Sequence, residues 1–152
     1  MHLETFSDIL TNRVIVFPIV AYLTAQLLKL VFRLLGYPFR REHRFLFESG
    51  GMPSAHAAIV TVLVIVIARS EGFHSVLFGL SVIFAAIVIY DAIYVRGRAD
   101  KQAIVLNRIA DKLKIFKKDR KHLVIQEGHT KLEVLGGIVW GVIVAVVLIW
   151  IF

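Results

Sequence analysis

Nineteen consecutive residues, Gly72 to Tyr90, contain no Asp, Glu, Lys or Arg, and the twenty-one from Leu132 to Phe152 contain one, Glu133. A third long apolar run covers Val14 to Leu35. Each is close to the ~20 residues that cross the hydrocarbon core of a bilayer. The chain has 152 residues, of which 58% are hydrophobic and 19% charged, with a mean hydropathy of +0.76. A soluble core of this size has no use for so many uninterrupted runs, so the expected fold class is an all-α integral membrane protein in one domain, 1–152. The absence of cysteine excludes a disulfide framework and a thiolate zinc site. The short acidic lead lacks the basic region and cleavage site of a signal peptide.

Taken in order, the runs predict a bundle of four transmembrane helices at about 14–35, 53–69, 76–95 and 132–152. The second is short for a span. Residues 98–116 have Leu106, Ile109, Leu113 and Phe116 at helical spacing with Lys and Arg between them. That pattern predicts an amphipathic interfacial helix on the cytoplasmic side. Gly137-xxx-Gly141 suits close helix packing, within the bundle or in a homo-oligomer. The basic residues fix an expected orientation. Five lie between 29 and 44 and eleven between 96 and 131, which leaves only Arg13 and Arg69 for the opposite side. The positive-inside rule then places both termini outside and both long loops in the cytoplasm. The net charge of +7 fits an anionic membrane surface as partner. No nucleic acid is expected.

Against this apolar background the polar residues are informative. Ser49-Gly50-Gly51-Met52-Pro53-Ser54-Ala55-His56 is a glycine-rich loop feeding a helix. Pro53 suits a first helical turn. Unpaired N–H groups and the positive end of the helix dipole make such a start an anion site. On the predicted topology Lys29, His56, Asp91, Arg96, His129 and Glu133 all fall at one membrane depth, on one side. Ionisable residues in spans are rare and mark functional sites. Lys29 and Arg96 suit a phosphate dianion. His129 and Glu133 lie four apart on one helix face, so the carboxylate can hold one imidazole nitrogen and leave the other as nucleophile or base. His56 can serve as general acid. Gln26, one turn from Lys29, and Arg98 complete the polar set. Two histidines and two carboxylates can also hold a metal ion, but the adjacent cations oppose one and no H-E-x-x-H pattern occurs. No metal and no cofactor is expected.

At these residues the chain resembles a known group. The Ser49–His56 motif, Asp91, Val95-Arg96, Gln102-Ala103, Leu106-Asn107 and Gly128-His129-Thr130 with Glu133 are similar to the divergent type 2 phosphatidic acid phosphatase family, related to vanadium-dependent haloperoxidases. The resemblance runs from about Gln26 to Gly137. It implies that His129 is the nucleophile that becomes phosphorylated, Glu133 its orienting carboxylate and His56 the general acid. It implies phosphate binding by Lys29, Gly51, Ser54 and Arg96, with Gln26, Gly50, Asp91 and Arg98 as further candidates. The parent superfamily keeps its arginine a few residues before the nucleophilic histidine, whereas Arg96 and His129 are separated here by the amphipathic segment. Glu133 stands where the parent pattern has Asp, and Gly97 where the divergent family often has a second Arg. The expected function is a metal-independent membrane phosphatase acting on a lipid phosphomonoester or diphosphate through a phosphohistidine. The alternatives are a non-enzymatic phosphate-lipid binder or carrier, and a structural membrane subunit.

Overall fold

The computed structural model describes residues 8–36, 51–113 and 128–152. Gly50, the basic residues of both long loops (40–44 and 117–121) and Phe116 lie outside the described residues. Among those described, every regular element is helical. They are α1 (Arg13–Leu34), α2 (Ala55–Glu71), α3 (Val76–Tyr90), α4 (Arg96–Lys112) and α5 (Lys131–Ile151), with one π-helical turn, Asp91–Val95, between α3 and α4.

The starts of four helices are set by side-chain caps, each filling an amide that has no carbonyl within its own helix. Asn12, Ser54, Ser75 and Thr130 accept from Val14, Ala57, Phe78 and Glu133 respectively. The cap at Ser54 moves the start of α2 from the predicted Pro53 to Ala55, so Pro53 precedes the helix instead of occupying its first turn. At the other end, α2 runs past the predicted 69 to Glu71 and stops at Gly72, whose φ of +83° a side chain would strain.

By length and composition three helices can cross a membrane: Arg13–Leu34, the unbroken Val76–Lys112, and Lys131–Ile151. α2 has 17 residues and a length of roughly 25 Å, short of the ~30 Å hydrocarbon core. The four-span expectation thus meets three helices of spanning length around a shorter central one. The expected break between the third span and the amphipathic segment is absent. No proline lies between Tyr90 and Lys112, and Arg96 N–H donates to the Asp91 carbonyl, so the backbone ladder continues through the π turn. Along α4, Leu106, Ile109 and Leu113 are exposed while Asn107 and Ala110 are buried. The apolar stripe read from the sequence is therefore not spent on the core.

α2 packs against α1, α3 and α5, and α1 also meets α5. The core is built from small side chains. Ala21, Ala25, Ala55, Ala58 and Ala145 are buried, while Leu80, Ile83, Ile87, Val146 and Trp150 face outward. This is the distribution expected in lipid, where close backbone approach, not expulsion of water, holds helices together. Gly137 and Gly141 show it directly. A Cβ at Gly137 would lie 2.3 Å from the Ser54 carbonyl oxygen, and one at Gly141 2.8 Å from that of Ala58. Both glycines seat α5 on α2 within one chain. At one end of the bundle the Arg13 guanidinium donates to the Phe152 carbonyl, which puts the start of α1 beside the end of α5. The starts of α2 and α5 share the opposite end, where Ser54 N–H donates to the Glu133 carbonyl at 2.9 Å.

Candidate functional site

His129 lies two residues before α5 and is 3% exposed. Its Nδ1 lies 3.2 Å from Oε2 of Glu133; because His129 precedes the Thr130 cap, the pair meets across the helix start and not along one helix face as expected. A carboxylate beside Nδ1 selects the tautomer with the proton there, so the lone pair resides on Nε2. Nε2 is buried and has no hydrogen-bond partner among the described residues, and the same is true of His56 Nδ1. The two imidazoles face each other edge to face, with ring centroids 6.1 Å apart. Buried polar atoms are nearly always satisfied, so two orphaned imidazole nitrogens in adjacent rings mark a place where a polar ligand is missing its contacts. In chemical terms the arrangement offers one oriented nucleophilic nitrogen and a second imidazole within reach of the same bound group.

Glu133 is held as firmly as it holds. Its Oε2 accepts from Thr130 N–H at 2.9 Å, while Thr130 Oγ accepts from Glu133 N–H at 3.2 Å. This capping box fixes the carboxylate at the helix start, near the positive end of the dipole. The sequence carried the signal, Thr130-Lys131-Leu132-Glu133, which the reading by charge alone passed over.

The long sequence separation of Arg96 and His129 is closed by tertiary contact. A π turn leaves carbonyls displaced from the α-helical ladder, and here the Ala92 carbonyl accepts from His129 N–H at 2.9 Å. Beside it, Gly128 packs on the backbone of Gly97, so closely that a Cβ at Gly128 would lie 2.5 Å from Gly97 N. The π turn also places residues five apart on one face. Arg96 Nε donates to Asp91 Oδ2 at 3.0 Å, both side chains being partly exposed. An i,i+5 pair has no signature in helical periodicity, so the sequence offered no means of predicting this contact.

Of the remaining candidates, Lys29, Asp91 and Arg96 lie close enough to act electrostatically on His56. Lys29 is half-buried on α1, and the charge of Glu133 on α5 acts on it. His56 lies in the fields of Arg96, His129, Lys29 and Asp91 together. Gln26 is half-buried one turn before Lys29. Gly51 has a φ of +79°, a conformation that suits glycine. Ser54 is fully buried, and its N–H and hydroxyl are used as described, which leaves the first-turn amides of Ala55 and His56 as the donors without an intrahelical carbonyl. Arg98 is exposed on α4 and stands apart from the cluster. Among the described residues no three His, Asp or Glu side chains converge to hold a metal ion.

The Uncharacterized membrane protein YuiD of Bacillus subtilis (strain 168) is 32% identical over 157 residues, covering 95% of this chain and 99% of that protein. No solved structure matches. The profile of the Divergent PAP2 family matches residues 10–144, which take in α1, α2, the π turn and the His129–Glu133 pair. On both counts this membrane protein, by descent related to phosphatases, belongs to the Divergent PAP2 family.

Proposed function

We propose that the protein is a membrane phosphatase that hydrolyses a lipid phosphomonoester or diphosphate through a phosphohistidine at His129. The observation that carries this reading is the buried, unpartnered Nε2 of His129, oriented from behind by Glu133 and faced by His56. In the first half-reaction Nε2 attacks phosphorus while the bond to the leaving oxygen breaks. His56 gives that oxygen its proton. Glu133 stabilises the imidazolium that forms on His129, as a carboxylate does in an acid–base–nucleophile triad. In the second half-reaction His56 takes a proton from water. The water oxygen bonds to phosphorus, the N–P bond breaks, and inorganic phosphate leaves.

Lys29, Arg96 and the amides at the start of α2 neutralise the phosphoryl oxygens. Lys29 and Arg96 bring two positive charges to the site, and the first-turn amides of α2 add the positive end of a helix dipole. The substrate head enters from the cytoplasmic interface, with both termini outside and the exposed apolar stripe of α4 lying on the anionic membrane surface.

A panel of lipid phosphates assayed for phosphate release in excess EDTA tests the reading. Turnover persists under chelation, because side chains and not a cation neutralise the phosphate. Orthovanadate inhibits, because a trigonal-bipyramidal vanadate on His129 mimics the transition state. Loss of turnover on chelation with recovery in magnesium or zinc overturns the metal-independent scheme. Tight lipid phosphate binding with no release across the panel turns the protein into a binder or carrier.

A further inference from the structure

α1, the motif loop and α5 line an open apolar groove of about 260 Å³. Its walls include Leu28 and Phe32 of α1, Met52 and Pro53 of the motif loop, and Val139 and Ile143 of α5. We infer that this groove holds one hydrocarbon chain of the lipid phosphate whose head occupies the histidine site; the inference rests on the function proposed above.

Continuity with the site is the first argument. The groove residues Leu28, Pro53 and Leu132 each immediately precede a site residue: Lys29, Ser54 and Glu133. The backbone segments that carry the site residues therefore also carry the mouth of the groove. The second argument is dimension. From Leu132 to Ile143 the helix rises roughly 16 Å, about half of the ~30 Å hydrocarbon core, which is the depth of one leaflet. The lining is apolar throughout, which suits a hydrocarbon chain, and the second chain of a diacyl lipid lies in the bilayer.

The third argument is construction. Trp140 Nε1 donates to Thr24 Oγ at 3.2 Å, which pins the indole between the two helices as part of the lining. Gly136 leaves open what a side chain would close, since a Cβ there would lie 2.8 Å from the Met52 terminal methyl. A chain moving from lipid into this groove gains no hydrophobic free energy, because lipid is equally apolar. What the groove supplies is position. It fixes the head relative to His129, which is worth rate more than affinity.

The experiment uses the full chain in phosphatidylcholine vesicles. One probe is a phosphatidate with a diazirine midway along one acyl chain, and the other is the matching diacylglycerol. Photolabelled peptides are mapped by mass spectrometry, and phosphate release is followed in parallel. Phosphatidate is expected to label Phe32, Val139 or Ile143 in about tenfold excess over diacylglycerol, a ratio typical of pocket discrimination. Ile143→Trp, which fills the groove from a half-exposed position, removes that excess. Val146→Trp, an equal bulk on the outer face of α5, leaves it unchanged. Equal labelling by both probes overturns the inference, because the groove is then ordinary lipid contact. Phosphate release with labelling confined to α3 also overturns it, while leaving the function standing. Absence of release together with phosphate-dependent groove labelling keeps the groove and removes only the catalysis.

Discussion

At the scale of single residues, the two histidines differ in what surrounds them, and the roles proposed for them follow that difference. His129 has a carboxylate on Nδ1 and a free Nε2, the arrangement of a nucleophile. His56 sits in the first turn of α2 and faces it without a carboxylate of its own. A general acid matters most when the leaving oxygen is a poor leaving group. An alkoxide needs its proton in the transition state, whereas p-nitrophenolate largely does not. His56→Ala should therefore lower turnover of a lipid phosphate by about 10²–10⁴-fold and that of p-nitrophenyl phosphate by much less. His129→Ala should abolish turnover and covalent phosphoenzyme for both. Rates on the two substrates, with acid-quench detection of the N–P bond, check this. An equal loss on both substrates in His56→Ala would make that residue a positioning group.

At the scale of elements, glycines decide which helices can meet. Gly137 lets α5 touch the Ser54 carbonyl at the cap of α2, and a methyl group there would meet the Ser54 backbone and the Ala57 Cβ, neither of which can swing away. Gly137→Ala is expected to cost ~1–3 kcal/mol of stability, the usual penalty for overpacking, seen as earlier thermal loss of the monodisperse species in detergent. Gly128 has a different task. It closes the contact between the start of α5 and Gly97, beside the Ala92–His129 hydrogen bond. Gly128→Ala should therefore move His129 away from Arg96 and lower turnover more than it lowers thermal stability. A shift of about 1 Å at a reacting centre is enough to cost ~10²-fold. A variant that loses stability and activity in step would show that this contact serves folding alone. The π turn belongs to the same scale. By continuing α3 into α4 while releasing one carbonyl to His129, it joins the arginine and the nucleophile that the chain order keeps apart.

At the scale of the whole molecule, the site lies at one end of the bundle and the contact of Arg13 with the Phe152 carbonyl at the other. Sixteen of the eighteen Lys and Arg residues fall within 29–44 and 96–131 of the sequence, from which the positive-inside rule predicts a cytoplasmic site end. Because the chain has no cysteine, single cysteines at Ser7 and Lys118 can be labelled in intact cells without background. Ser7→Cys should react with an impermeant maleimide from outside, and Lys118→Cys only after permeabilisation. Reaction of Lys118→Cys from outside would invert the orientation and leave the site geometry intact. What this sequence determined alone is whatever depends on local composition. Uncharged runs require helices in lipid, because no water is available there to satisfy an open backbone. Their alternation predicts one depth for Lys29, His56, Asp91, Arg96, His129 and Glu133, and Thr130-xx-Glu133 fixes a helix start. The tertiary structure decided what depends on two segments meeting. Periodicity could not show that Asp91 reaches Arg96, since a π turn sets a spacing of five that no regular helix has. Nor could it show that the Ala92 carbonyl grips His129, that the Ser54 amide is taken by Glu133, or that Gly137 and Gly141 pack inside the chain instead of against a second copy. A buried polar group takes whichever partner the packing brings within ~3 Å, and that distance is set by the joint arrangement of α1, α2, α5 and the π turn.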